Sequence, residues 1–300
     1  MTSLPQHRRP PAARGEHSFF AYDDDLAWAD TVVRFVSNGL ERGQRVWYSA
    51  DSTEPSAVID VLRRGAVDVD TARRDARLSV TGTDLSYLRR VPFDPDWVIS
   101  MFRAACAEAL ADGCTGLRVL GEMSWSARQA TAIDRILEAE LRLDREVYAD
   151  LPLTGLCLFD RRLIPAPTAD LLTRAHTTCA ELPRPPAEAP RPRPPARSAA
   201  LAAVPMRDRA GIRLSGSGDI DTRHILHSAL AALARMPGPI VHLDLSAVTY
   251  LDPGAVAVLV DVSNSLTGKG RSLLLHKPPY SLRKVAELFP EECAALEVAA

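Results

Sequence analysis

The sequence predicts an α/β protein in two parts, an N-terminal three-layer unit on a parallel sheet and a smaller C-terminal α/β unit. Three observations carry this. Apolar strand runs between Phe19 and Asp160 alternate with amphipathic segments of roughly ten residues or more, the pattern of parallel strands joined by crossover helices. A second strand and helix series starts at Gly211. Between the two lies a strip holding Pro183, Pro185, Pro186, Pro190, Pro192, Pro194 and Pro195, which no packed core absorbs and which favours extended geometry as a semi-rigid spacer. The expected boundaries are a disordered leader over 1–15, a first domain over 16–178, a linker over 179–200 and a second domain over 201–300.

Order begins with the strand-like run from His17 to Tyr22. Asp23, Asp24 and Asp25 then open a helix whose Leu26, Ala29, Val33, Val36 and Leu40 share one face; acids in a first turn suit the helix dipole, so the triplet reads as structural rather than metal-binding. Gly39 and Gly43 punctuate its exit into the strand Arg45 to Ala50. The following Asp51 to Ser56 has neither the glycines nor the lysine of a phosphate cradle. A short helix from Ser56 to Arg64, a strand from Arg77 to Val80 and a loop from Tyr87 to Pro95 come next. A long helix from Asp96 stops at Asp112 and Gly113, and the strand run Gly116 to Trp125, a helix from Ala127 to Leu143 and a strand from Gly155 to Asp160 complete the half. In the second half a strand from Gly211 leads through a glycine turn to an acidic helix start, and Ile240 to Leu245 opens the next strand. That strand turns over Leu251, Asp252 and Pro253, with Asp252 suited to the N-cap and Pro253 to the first helical position. A strand from Gly270, stopped by Pro278 and Pro279, precedes a helical run from Ser281 to Phe289.

With 300 residues, 46% hydrophobic and 25% charged, the chain has the composition of a globular protein with about two cores. A net charge of −2 gives no electrostatic basis for a nucleic-acid partner. The five cysteines, Cys106, Cys114, Cys157, Cys179 and Cys293, are odd in number and contain no Cys-x-x-Cys pair, so neither a disulfide framework nor a metal site is predicted, and a reducing cytoplasm fits. Met1 to Gly15 lacks the apolar centre of a signal peptide, and no run approaches the roughly 18 apolar residues of a membrane span, so no membrane attachment is expected.

Glu122 and Asp160 stand just beyond apolar strands, where open α/β sheets place ligands, and two carboxylates there could grip a cation or do acid and base work; capping a helix or pairing with Arg118 or Arg161 is the competing structural role. His17, Trp47, Tyr48, Met123 and Trp125 would line an apolar ligand pocket, and are equally what a core contains. Cys157, inside an apolar strand, reads as an inert buried thiol. No cofactor is indicated, and no Gly-x-Ser-x-Gly elbow supports serine-hydrolase chemistry. An enzyme acting through Glu122 and Asp160 on a nucleotide or small metabolite is the alternative to a binding role.

Four islands, His17 to Phe20, Gly39 to Val46, Gly116 to Trp125 and Leu156 to Asp160, resemble the MEDS sensory domain over roughly residues 17 to 175. The resemblance implies a RecA-like three-layer sheet stripped of its phosphate loop and a role in receiving a small-molecule signal. The last hundred residues or so resemble the STAS domain of anti-sigma-factor antagonists. That family writes the corner as Asp-Ser-x-Gly and phosphorylates its serine; here Pro253 stands at the serine and Ala255 at the last glycine, so that switch has no hydroxyl to act on. The resemblance implies a non-catalytic docking surface made of Asp252, Pro253 and Gly254 with Ser246, Thr249, Asp219 and Asp221 nearby, and as partner an anti-sigma factor or a serine kinase of that type. Phosphate on Ser246 or Thr249 would add nearly two negative charges beside Asp252. A second copy of the chain is a further partner that two binding domains admit.

Overall fold

The computed structural model describes residues 15–176, 178–179 and 201–299; the leader and the proline strip lie outside the described residues. In the first half, β1 (Glu16–Tyr22), β2 (Arg45–Ala50), β3 (Leu78–Gly82), β4 (Leu117–Glu122), β5 (Leu153–Asp160) and β6 (Thr178–Cys179) form one sheet in the order β3-β2-β4-β5-β1-β6. Every pairing in it is parallel. Such a sheet needs helices on both faces, and all six residues of the central β4 are buried. One face carries α1 (Asp25–Glu41) and α2 (Pro55–Arg64) over Trp28, Val32, Val36, Val58 and Leu62. The other carries α4 (Pro95–Ala111) and α5 (Ile133–Leu143) over Phe102, Val119, Leu137 and Phe159. The short α3 (Val69–Arg74) and α6 (Ala166–Arg174) complete the expected three-layer unit. No phosphate cradle follows β1: Asp24 caps α1 through Leu26 N at 2.9 Å, putting a carboxylate where a phosphate would need bare N–H groups.

The second half is a five-stranded sheet in the order β11-β10-β9-β8-β7. Its strands are β7 (Ala202–Pro205), β8 (Gly211–Gly218), β9 (Ile240–Leu251), β10 (Ser272–His276) and β11 (Glu297–Val298), with helices α7 (Arg223–Arg235), α8 (Pro253–Thr267) and α9 (Tyr280–Leu288). Only β7 runs antiparallel to its neighbour. Two expectations are corrected. The glycine turn after Leu214 is strand: β8 continues to Gly218 with register shifts, and Gly216 takes the φ of +97° that a bulge demands. The helix expected from Ala127 is a tight irregular turn up to Ala132, broken at Gln129, and regular helix starts only at Ile133.

The two halves share packing. Helix α5 lies against α7, and its residues Ile136 to Leu143 are all buried, charged ones included, as befits a helix covered on every side. Its Glu138 accepts from Arg142 at 2.8 Å and, across the seam, from Arg235 of α7 at 2.7 Å. Because Arg235 is half exposed and Glu138 keeps Arg142, Arg235→Ala is expected to cost only about 1 kcal/mol, read as a small drop in urea midpoint.

Candidate functional site

The C-terminal ends of the parallel strands converge on Glu122, which is 1% exposed. Its Oε1 accepts from the Tyr48 hydroxyl at 2.7 Å, and its Oε2 accepts from Asp51 N at 2.8 Å, Thr53 N at 3.0 Å and Ser52 Oγ at 3.2 Å. Four donors on one carboxylate make it the clamp that shapes the turn between β2 and α2. The next residue of that turn, Asp51, is itself held by Ser124, Thr83 and Arg128, whose bonds outweigh its partial burial and keep its carboxyl below the usual range. Asp160, at the end of β5, takes Arg162 in a two-pronged pair at 2.9 and 2.7 Å, and that guanidinium holds its carboxyl low. The arginine partner is thus Arg162, which folds back on its own strand end as Arg162 N donates to Asp160 Oδ1 and Leu163 N to Asp160 O, and not Arg118 or Arg161; Arg118 lies near α1 against Gln44 and the Phe35 ring. A cleft of about 650 Å³ opens beside Asp160, bounded by Tyr22, Trp28, Thr53 and Arg64. Burial, reinforced by the nearby Glu122 and Asp160 charges, pushes the Tyr22 phenol well up and keeps it neutral.

The residues expected to line one pocket do not share one. Tyr48 and Glu122 meet on the α1 face, near Asp160. Trp47 points to the opposite face, edge-on to Phe102 and donating to Thr81 Oγ1 at 2.9 Å. Met123 and Trp125 are core, with Trp125 stacked between Tyr87 and Phe93. The cause is the strand period of two, which sends neighbours such as Trp47 and Tyr48 to opposite faces.

His17 belongs to a different constellation, under α5. Its ring lies with Glu140 of α5, Cys157 of β5 and His176 beyond α6, and one potential ligand atom from each falls within 4.8 Å of the others. Glu140 Oε2 is 3.4 Å from Nε2 of both histidines, and Cys157 Sγ is 3.5 Å from His17 Nε2. The far nitrogens are engaged elsewhere: His17 Nδ1 with Asp144 Oδ1 at 3.1 Å, His176 Nδ1 with Leu172 O at 2.9 Å. Tyr148 stacks on His17 with ring centroids 4.5 Å apart, and Phe19 and Phe159 stand edge-on to His176. Burial raises the Glu140 carboxyl to about 7, drives the Cys157 thiol well up and pulls the His176 imidazole well down. Cysteine spacing gave no sign of this group, because its members come from four separate elements brought together only by the sheet.

In the second half Asp252 is the N-cap of α8, as its sequence context predicts, and accepts from Ala255 N at 2.6 Å. Its other oxygen accepts from Arg223 at 3.2 Å. The carboxylate is partly exposed, and both of its oxygens hold the corner together. Asp219 accepts from the backbone of Asp221 and Thr222, an Asx turn. Thr249 Oγ1 donates to Gly216 O at 3.1 Å, while Ser246, Asp221 and Pro253 face solvent and Gly254 is half-buried against Arg223. What the corner offers outward is apolar as well as acidic: Ile220 is 74% and Tyr250 47% exposed.

Comparison with known proteins agrees with this architecture. The family model described as MEDS, the methanogen/methylotroph DcmR sensory domain, matches residues 16–177, and the model described as Mlab, STAS domain, matches residues 203–290. No curated relative matches the sequence. Among solved structures, the crystal structure of the DUF1998 helicase MrfA bound to DNA is similar at 11% identity and a TM-score of 0.31, a likeness too slight to carry an argument. The alignment covers 95% of this chain and 37% of the helicase chain. No helix among the described residues is long and apolar enough to cross a membrane. A sensory domain joined to a STAS domain is a signalling arrangement, and with more than half of its length matched, the chain belongs to the MEDS family.

Proposed function

We propose that the chain is a non-catalytic cytoplasmic regulator, in which the MEDS half receives a small-molecule signal and the STAS half binds an anti-sigma factor or a serine kinase of that type. The observation that carries the partner assignment is the corner at the start of α8: Asp252 locked by Ala255 N and Arg223, with Ile220 and Tyr250 exposed around it. A rigid acidic turn ringed by solvent-facing apolar side chains has the makings of a docking patch, since apolar anchors supply most binding energy and charges set register. Pro253 removes the hydroxyl through which such a corner would be silenced, so this reading makes the corner constitutively competent. In the first half the cleft beside Asp160 is the candidate entry for the signal, because Glu122 has its oxygens filled by four donors and neither carboxylate is free for acid and base work.

The test is calorimetric titration of the full chain against purified anti-sigma kinases from the same genome. Tyr250→Arg is expected to weaken the complex at least about tenfold, the effect of losing one modest anchor of about 1.4 kcal/mol. Asp252→Asn, which keeps an N-cap side chain while deleting the charge, is expected to slow association more than it speeds dissociation. Absence of binding to every such kinase, or full affinity in both variants, would overturn the assignment.

A further inference from the structure

We propose that His17, Glu140, Cys157 and His176 bind a divalent transition metal ion of the zinc type inside the MEDS half. The inference stands apart from the choice of protein partner, since it concerns the buried cluster under α5 and not the α8 corner.

Four features point to a cation. Ligand atoms around a tetrahedral zinc ion stand roughly 3.3–3.8 Å apart, given metal distances of about 2.0–2.3 Å. Three of the separations here, 3.4, 3.4 and 3.5 Å, lie in that range, and all of them stay within 4.8 Å. Second, the histidines are oriented as metal ligands are: each turns Nδ1 to an oxygen acceptor, Asp144 for one and the Leu172 carbonyl for the other, which makes Nδ1 the protonated nitrogen and leaves the Nε2 lone pair aimed at the cluster. Third, Glu140 Oε2 and His176 Nε2 are buried and, among the described residues, have no hydrogen-bond partner. Two such acceptors facing each other in an apolar site are costly unless something positive joins them. Fourth, the charges balance: a thiolate, a carboxylate and two neutral imidazoles neutralise a divalent ion, so the loaded site carries no net charge into its aromatic jacket of Phe19, Tyr148 and Phe159.

The donor set selects the metal. Two nitrogens, one oxygen and one sulfur suit zinc and its borderline neighbours, whereas magnesium and calcium require oxygen ligands. The alternative is a proton shared between Glu140 and the histidines, with the thiol a bystander; it predicts different measurements.

The full-length protein, purified without chelator from zinc-supplemented medium, is expected to hold close to one zinc per chain by elemental mass spectrometry. Replacing the metal by cobalt is expected to give the intense visible bands of a tetrahedral site together with a sulfur-to-cobalt charge-transfer band in the near ultraviolet. Cys157→Ser should abolish the charge-transfer band, and His176→Gln and Glu140→Gln should each lower zinc affinity at least about tenfold. The proposal is overturned if the wild-type protein purifies with only trace metal and takes up no cobalt, or if cobalt binds but Cys157→Ser leaves its spectrum unchanged. Should any variant fail to fold, the wild-type metal content and cobalt spectrum alone decide. Under the shared-proton alternative, Glu140→Gln would raise thermal stability with no change in metal content, and that result also counts against the site.

Discussion

Replacing Glu122 by alanine is expected to destabilise the protein by about 3 kcal/mol, a drop of roughly 6–12 °C in the calorimetric transition of the MEDS half. The carboxylate takes four donors, two of them backbone N–H groups of Asp51 and Thr53 in the turn between β2 and α2, and alanine would strand them partly buried. Glu122→Gln retains one accepting oxygen and is expected to lose only about 1–2 kcal/mol. The pair of values separates a clamp from a catalyst, since an active-site carboxylate held against its own interest usually gives back stability when neutralised. A loss under about 0.5 kcal/mol for the alanine variant, measured by urea denaturation, would contradict the clamp.

Gly155→Ala is expected to cost about 2–3 kcal/mol, for a steric reason. A Cβ placed there would lie 2.0 Å from the Tyr148 hydroxyl and 2.8 Å from its Cζ. The ring cannot retreat freely, because it is stacked on His17 at 4.5 Å. The added methyl therefore pushes through Tyr148 onto the buried cluster. Tyr148→Phe removes the atom nearest the new Cβ, and the double variant should recover about half of the loss, a coupling of about 1 kcal/mol in a double-mutant cycle. Strict additivity of the two changes would refute the contact.

The sheet was legible wherever one strand meant one apolar run. His17 to Tyr22, Arg45 to Ala50 and Gly155 to Asp160 fall within two residues of the ends of β1, β2 and β5, and the capped start of α8 follows from Asp252 and Pro253 alone. The strands too short to show a period, β6, β7 and β11, escaped, as did the short α3. The bulged β8 read as a turn because Gly216 and Gly218 signal reversal locally, while the ladder to β9 overrides them. The site was legible in part. Glu122 and Asp160 do end their strands, yet nothing local shows that their oxygens are already filled. The grouping of His17 with Glu140, Cys157 and His176 depends on β1 and β5 being neighbours, which is a property of the topology and leaves no trace in residue spacing.

Glu138 and Glu140 ride on the same turn of α5, one tied to Arg235 of the STAS half and the other facing the two imidazoles, about 3 Å apart along the axis. A rigid rod gripped at both flanks cannot shift at one without disturbing the other. Were the state of Glu140 to displace α5, the energy of the junction with α7 would change with it, and by thermodynamic reciprocity an occupant of the STAS half that loosened or tightened that junction would then change the affinity at the imidazole side by the same factor.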